Sequence, residues 1–273
     1  MGKHNSADMS FLEHLEMLRW HLLRSLVAIG LFAVVAFVFH DFIFDNVLLA
    51  PKKGEFITNI YLCKLGQWVG IPKLCINTLP LQIINIKMAG QFAMHIGVSF
   101  ALGFILAFPF IFWELWRFIR PALYTHEIRH ARGAVFYTSA LFLLGILFGY
   151  YVIAPLSVHF LGSYSVSHEV TNQINLRSYI GTITSVTLAS GVTFELPVLI
   201  FFFSRIGLVT PQFLRKYRRH AIVLILVLAA TITPPDIFSL FLVTLPLILL
   251  YEVGIRISAR VLKRQAAEFP EKL

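Results

Sequence analysis

Six long apolar stretches follow one another along the chain, separated by short polar segments. They cover residues 20–39, 88–112, 134–153, 180–203, 221–232 and 237–251. A helix needs about 20 apolar residues to cross the ~30 Å hydrocarbon core of a bilayer, and the first four stretches are long enough. The last two are shorter, and they form either two short spans or a re-entrant hairpin. Two short spans are favoured because basic residues flank both outer ends of this pair, whereas the turn between them is not basic.

This pattern predicts an all-α polytopic membrane protein with six transmembrane helices, the last two short, in one membrane domain over residues 1–273. The longest segment between spans, residues 41–87, is too short and too mixed in composition for a separate domain. Composition agrees, because 58% of the residues are hydrophobic and only 14% are charged. Soluble domains carry about 25% charged residues, so this chain could not cover its own surface in water.

Charge patterning predicts the orientation of the spans. The formal net charge is +9, and most Lys and Arg residues lie in the N-terminal segment, the segments at 114–133 and 205–220, and the C-terminal tail. Short cytoplasmic loops carry such an excess, so both termini are predicted to be cytoplasmic. The positive-inside bias is weaker for the opposite side, because the loop at 41–87 contains four lysines before Lys87, which stands at the entrance of the second span. The basic residues are interpreted as topology determinants, and a nucleic-acid partner is not predicted.

The segment before the first span has the pattern of a short amphipathic helix. Ser10 and Glu13 have the spacing of a capping box, and Leu15 and Leu18 share an apolar face with Phe11. This helix could lie on the membrane surface and lead into the first span, or it could present a docking surface.

Residues 126–130 match the HExxH pattern of zinc proteases, in which His126 and His130 would bind the metal. A third ligand is required, and no later span offers an Asp at membrane depth. The match also has a structural explanation, since Thr125 can cap a helix and Glu127 suits its first turn. A metal site is therefore not predicted.

Glu195 stands inside the fourth apolar stretch, where an acid costs about 2.5–3.5 kcal/mol on insertion scales. Such residues are usually functional, although a neutral, hydrogen-bonded Glu that only packs the bundle is the alternative. Pro197 predicts a kink beside it, because proline cannot donate to the carbonyl of Thr193. Cys63 and Cys75 share the loop at 41–87 and form either a disulfide on the oxidising side or two buried thiols.

Four motifs together resemble the TatC family, the core subunit of the twin-arginine protein translocase. They are His14-Leu15 with Leu18-Arg19, Pro121-Ala122-Leu123-Tyr124 followed by Glu127, the run Gly191-Val192-Thr193-Phe194-Glu195-Leu196-Pro197, and Thr233-Pro234-Pro235-Asp236. They occur in the family's order and lie at matching positions relative to the spans. The resemblance covers nearly the whole chain, from about Phe11 to Arg260.

The resemblance implies a fold and a function. The six helices would form a cupped hand in the cytoplasmic (inner) membrane, with both termini in the cytoplasm. The protein would bind twin-arginine signal peptides of folded cargo and recruit the single-span partners TatA and, in many systems, TatB. Several copies would work in one complex. Transport would draw on the proton-motive force, without a cofactor and without enzymatic catalysis.

The resemblance also implies roles for individual residues. Glu127 and Phe118 would contribute to the signal-peptide site, together with Leu15, Leu18 and Arg19. Glu195 would be the membrane glutamate that contacts partners, and Pro51 and Asp236 would belong to motifs of the outer side. The chain departs from the family pattern at two places that bear on the site. Met17 stands where the family has a Glu, whose role Glu13 or Glu16 could take, and His21 stands where the family often has a second basic residue.

Two other functions compete with this hypothesis. A proton-coupled solute transporter would use Glu195 as its relay, and an intramembrane zinc protease would use His126 and His130. A transporter usually shows internal repeats with a pair of broken helices, and neither is visible in the sequence. The chain also contains no Walker or glycine-rich phosphate motif, so export driven by ATP is not predicted.

Overall fold

The structure is a computed structural model that describes residues 11–71, 75–76, 81–119, 131–167, 169, 172–233 and 237–268. Helices dominate this part of the chain. The α-helices are α1 (Phe11–Val38), α2 (His40–Phe42), α3 (Ile57–Val69), α4 (Gly90–Ile119), α5 (Ala131–Phe148), α6 (Ala154–Ser163), α7 (Leu176–Thr193), α8 (Leu196–Arg205), α9 (Pro211–Lys216), α10 (Arg218–Ile232) and α11 (Ile237–Glu268). Short π-helical turns occupy Ile43–Leu48 and Gly149–Ile153, and a 3-10 turn occupies Ala50–Lys52.

Every predicted span corresponds to a helix, and the all-α membrane fold is confirmed. Five stretches among the described residues are long and apolar enough to cross a bilayer: Leu15–Val38, Gly90–Phe118, Val135–Ser163, Leu176–Arg205 and Ser239–Lys263. The sixth apolar helix, α10, has 15 residues and reaches about 22 Å at 1.5 Å per residue. This length is compatible with the short span that its sequence predicts, and the choice between a short span and a re-entrant hairpin stays a prediction.

Two helices extend further than the apolar runs that mark them. Residues 11–19 do not form a separate surface helix, because α1 continues unbroken from Phe11 to Val38 and no Gly or Pro interrupts its first turns. The last apolar run ends at Glu252, yet α11 continues to Glu268. Glu252 forms an ion pair with Arg218 on α10, and the buried stripe of α11 continues at Ser258. Charged residues therefore end an apolar run without ending the helix.

The described chain divides into two compact units, and whether they form the predicted single domain stays a prediction. The first unit comprises Met1–Ile43 and Phe92–Ala140. Its helices α1 and α4 run antiparallel and touch along their length. A Cβ on Gly103 would lie 2.7 Å from the carbonyl oxygen of Ile29, so the two backbones are in close contact there. Near one end, the ring of His95 stacks on Phe37 with centroids 3.8 Å apart.

The second unit comprises Phe44–Gln91 and Leu141–Leu273. In this unit the glycines of α5 and α7 let the helices approach. A Cβ on Gly145 would lie 2.7 Å from the backbone oxygen of Ser190, and one on Gly191 would lie 2.7 Å from Ile146. Small residues at such positions are the usual means of close packing between membrane helices. Gly145 and Gly149 thus serve packing within the chain.

Helices α8 to α11 form the other part of the second unit. Its buried apolar side chains include Ile200 on α8, Ile225 on α10 and Leu247 on α11. Polar contacts join the same helices, since the hydroxyl of Ser204 donates to that of Ser258 at 2.7 Å and the hydroxyl of Tyr251 donates to the carbonyl of Leu214 at 2.9 Å. These helices are therefore held by both packing and buried hydrogen bonds.

The close approach at Gly145 generates a prediction about stability. Gly145→Ala forces a methyl group against the backbone of α7, and overpacking of this kind costs about 1–3 kcal/mol. Gly181→Ala is the matched control, because a Cβ there meets no atom within 4 Å. Thermal unfolding of the purified protein in detergent should show a lower midpoint for Gly145→Ala and an unchanged or higher one for Gly181→Ala. Equal midpoints for the two variants would contradict the packing described here.

Candidate functional site

Four of the five residues predicted for the signal-peptide site lie in the described part of the first unit. Leu15, Leu18 and Arg19 are on α1, and Phe118 is near the end of α4. The three α1 residues line a groove of about 300 Å³ together with Leu22, Leu23 and Leu26. The groove is apolar apart from Arg19, so it suits an apolar segment better than a charged one. The fifth residue, Glu127, lies outside the described residues.

A buried acid joins α1 to α4 close to this groove. Glu114 is only 3% exposed, and its Oε2 lies 2.5 Å from Nδ1 of His21 on α1. Two half-exposed guanidinium groups approach it less closely, with Arg24 at 3.8 Å from Oε2 and Arg117 at 3.6 Å from Oε1. With Glu114 ionised, the Nδ1–H of His21 is the hydrogen-bond donor. A buried carboxylate is tolerated only when it is paired in this way.

His21 also connects this acid to the predicted site. Its ring meets that of Phe118 edge to face, with centroids 6.1 Å apart and planes inclined at 64°. Glu114 and Phe118 are four residues apart on α4, so they lie on one face of the helix, one turn apart. His21 therefore touches both, and it fixes α1 relative to Phe118.

In the sequence, His21 stands out only as a departure from the family pattern, and Glu114 was not among the residues predicted for the site. Their pairing was missed. The sequence does contain a hint of the pairing. An acid near the end of one span and a His near the start of another become neighbours once the two helices pack antiparallel. Nothing in a single sequence says which helices pair.

Glu195 lies in the second unit, in the short break between α7 and α8. α7 ends at Thr193 and α8 begins at Leu196, so the helix is interrupted beside Pro197, where a kink was predicted. Both carboxyl oxygens of Glu195 are buried, and neither makes a hydrogen bond of normal geometry with a described residue. The backbone of Phe142 on α5 is close enough to interact with the carboxyl group electrostatically. Whether Glu195 has a functional role or is a neutral, hydrogen-bonded side chain that only packs the bundle stays a prediction.

The structure describes some of the remaining candidates and not others. Pro51 is buried in the 3-10 turn, and its carbonyl accepts a hydrogen bond from the amide of Asn59 at 3.3 Å. Cys63 and Cys75 are joined by a disulfide. Asp236, His126 and His130 lie outside the described residues. Among the residues that are described, no group of three His, Cys, Asp or Glu side chains is placed to hold a metal ion.

Comparison with known proteins identifies the family. Residues 13–246 match the family model described as TatC, Sec-independent protein translocase protein. The chain belongs to the TatC family. It is 38% identical to the Sec-independent protein translocase protein TatC of Blattabacterium sp. subsp. Periplaneta americana (strain BPLAN), over 96% of this chain and 100% of that protein. The TatC of Deinococcus radiodurans (strain ATCC 13939 / DSM 20539 / JCM 16871 / CCUG 27074 / LMG 4051 / NBRC 15346 / NCIMB 9279 / VKM B-1422 / R1) is 34% identical over 97% of this chain and 91% of its own length.

Solved structures agree with this assignment. The crystal structure of the twin-arginine translocase receptor TatC superposes with a TM-score of 0.68, at 29% identity, over 91% of this chain and 99% of that one. The same receptor in DDM gives a TM-score of 0.70 at 30% identity, over 90% and 99%. Membership of the TatC family favours the translocase hypothesis over the solute transporter and the zinc protease.

The contact between His21 and Glu114 predicts how the first unit responds to substitution. Glu114→Ala removes the carboxylate that His21, Arg24 and Arg117 share, and losing a hydrogen bond to a charged group typically costs about 1.5–3 kcal/mol. Glu114→Gln keeps the shape and one acceptor, so its loss should be smaller. The exposed Glu16 provides the control as Glu16→Gln. Thermal unfolding in detergent should give the lowest midpoint for Glu114→Ala, a higher one for Glu114→Gln, and one close to wild type for Glu16→Gln.

A double-mutant cycle with His21→Ala separates the pair from the individual side chains. Residues in direct contact show coupling energies of about 0.5–3 kcal/mol, whereas distant residues are additive. Additive effects of His21→Ala and Glu114→Ala on unfolding would show that the two residues do not stabilise α1 against α4 as described.

Proposed function

We propose that this chain is the twin-arginine signal-peptide receptor and scaffold of a Sec-independent translocase, which moves folded proteins across the cytoplasmic membrane with the proton-motive force. The observation that carries the proposal is membership of the TatC family over residues 13–246. A solved relative that the chain resembles over nine-tenths of its length is itself called a twin-arginine translocase receptor. The clustering of basic residues supports an orientation with both termini in the cytoplasm.

The chemistry of the ligand supports a division of the site into two parts. A twin-arginine signal brings two guanidinium groups, which are best met by carboxylates, and an apolar segment beside them. The α1 groove at Leu15, Leu18 and Arg19 is suited to the apolar segment. His21, on the same helix as the groove, contacts Phe118 on α4, and this contact supports a shared role for the two helices.

Burial distinguishes between the candidate acids for the arginine pair. Glu114 is 3% exposed and is already surrounded by His21, Arg24 and Arg117, so an incoming guanidinium would have to displace them. We therefore assign Glu114 to positioning α1 against α4, and the recognition carboxylate to Glu127. The exposed Glu16 on α1 is the second candidate, since it stands next to the position where the family pattern has its Glu.

We further propose that Glu195 contributes to the assembly with the single-span partners TatA and, where present, TatB. A buried carboxyl group to which no described residue donates a hydrogen bond of normal geometry is unfavourable, and a partner helix that supplies a donor would relieve it. Several copies of the chain would act together in such a complex.

The assignment of Glu127 predicts the effect of neutralising it. Loss of a charge-assisted hydrogen bond costs about 1.5–3 kcal/mol, which is roughly a factor of 10 to 150 in affinity. Glu127→Gln should weaken binding of a twin-arginine peptide by that factor and reduce its dependence on salt. Titration of twin-arginine and twin-lysine peptides against the purified protein in detergent measures this. If Glu127→Gln binds both peptides as wild type does and Glu16→Gln does not, recognition belongs to Glu16.

The assignment of Glu195 predicts a defect at a later step. Glu195→Ala should fold and should bind the signal peptide as wild type does, while transport of folded cargo in a strain lacking its own TatC is reduced. Glu195→Gln tests the charge, because an unimpaired Gln variant would mean that the group acts in its neutral form. Wild-type transport by Glu195→Ala would remove Glu195 from the mechanism.

A further inference from the structure

The helix α3, in the segment between the first two spans, has two contrasting faces. Asn59 and Gly66 are buried on one face. On the opposite side, roughly 180° around the helix, four large side chains are exposed: Ile57 at 54%, Tyr61 at 68%, Leu65 at 49% and Trp68 at 85%. They follow the spacing of an amphipathic helix, so the exposed apolar stripe is continuous along α3. Together with Lys64 they are called here the α3 stripe.

Contacts of the buried face set the depth of α3 in the membrane. The ring of Phe56, just before α3, packs against Tyr150 and Tyr151 with centroids 5.6 Å away in each case. The hydroxyl of Thr58 donates to the carbonyl oxygen of Tyr151. These two tyrosines lie near the end of the apolar run 134–153, in the second half of the apolar helix Val135–Ser163.

Hydrogen bonds from the following spans fix the same segment at the same level. The hydroxyl of Tyr150 donates to the carbonyl of Val47 at 2.7 Å, and that of Tyr179 donates to the carbonyl of Leu48 at 3.1 Å. Tyr179 lies in the first turn of the apolar helix stretch Leu176–Arg205, and the end of one span lies on the same membrane face as the start of the next. The segment that leads into α3 is therefore attached to the second half of the third span and to the start of the fourth, on one side of the bilayer.

The composition of the α3 stripe matches this location. Trp and Tyr concentrate where the apolar core of a bilayer meets water, and Lys extends its charged end from apolar surroundings toward the headgroups. In the stripe, the amine of Lys64 lies 6.0 Å from the ring centre of Tyr61, beside apolar Leu65 and Trp68. An apolar stripe with a cation and two aromatic rings complements a layer of phosphates above acyl chains.

We propose that the α3 stripe docks into the phospholipid headgroup layer, with Trp68 and Leu65 in the upper acyl region and Lys64 on the phosphates. The Cys63–Cys75 disulfide ties the segment after α3 back to the helix, which keeps the stripe continuous and facing one way. α3 thus anchors the first long loop to the bilayer surface beside the ends of the third and fourth spans.

The fluorescence of Trp68 tests this docking in the full-length protein. Purified wild type and Trp68→Phe are placed in phosphatidylcholine vesicles, and the difference between their spectra gives the emission of Trp68. We expect that emission to be strongly reduced by lipid brominated near the carboxyl end of its acyl chains, less by lipid brominated deeper, and little by iodide present on both sides. Trp113, which is 42% exposed on spanning helix α4, gives the lipid-contact reference through Trp113→Phe.

Two other results would overturn the proposal. Strong iodide quenching of Trp68 without quenching by either brominated lipid would place the α3 stripe in water. Protection of Trp68 from iodide and from both lipids would mean that protein covers the stripe, for which a second copy of this chain is the only source in the purified sample.

Discussion

The hydrocarbon core of a bilayer cannot form hydrogen bonds, and this constraint governs every element that crosses the membrane. Backbone groups must pair within helices, and apolar side chains gain little by leaving lipid for a neighbouring helix. Association then depends on close packing and on a few polar contacts. In the second unit, glycines provide the close packing, since Gly145 and Gly191 bring α5 and α7 together. Hydroxyl groups provide the polar contacts, since Ser204 donates a hydrogen bond to Ser258. The first unit repeats the scheme with Gly103 and with the pair of His21 and Glu114.

Two acids with buried carboxyl groups differ in their interaction partners, and this difference distinguishes a structural role from a functional one. Glu114 lies among one imidazole and two guanidinium groups, so its charge is compensated within the chain. Its removal would leave those groups without the carboxylate that they share. The carboxyl oxygens of Glu195 are also buried, although the residue as a whole is more exposed than Glu114, and they lack a hydrogen-bond donor of normal geometry among the described residues. A compensated buried charge is a fixed part of the fold. An uncompensated polar group at membrane depth is unfavourable in the isolated chain, and a binding partner can repay that unfavourable energy.

The sequence was a good guide to what depends on neighbours along the chain and a poor guide to what depends on neighbours in space. Apolar runs predicted the spanning helices, and Pro197 predicted the break after Thr193. Helix ends were less accessible, because Glu252 ends the apolar run but is accommodated in α11 by Arg218. Spacing alone also left the state of Cys63 and Cys75 open, and it could not pair His21 with Glu114 across 93 residues. These contacts exist only once particular helices are adjacent.

The segment between the first two spans shows how side-chain hydrogen bonds can fix a loop that charge patterning leaves ambiguous. Its four lysines weaken the excess of basic residues that orients the chain. The hydroxyls of Tyr150 and Tyr179 nevertheless hold Val47 and Leu48 against the ends of two following spans. Lysines at headgroup level can pair with phosphates of either leaflet. Their presence is therefore compatible with either orientation, and the basic residues of the other loops and the two termini carry the topological information.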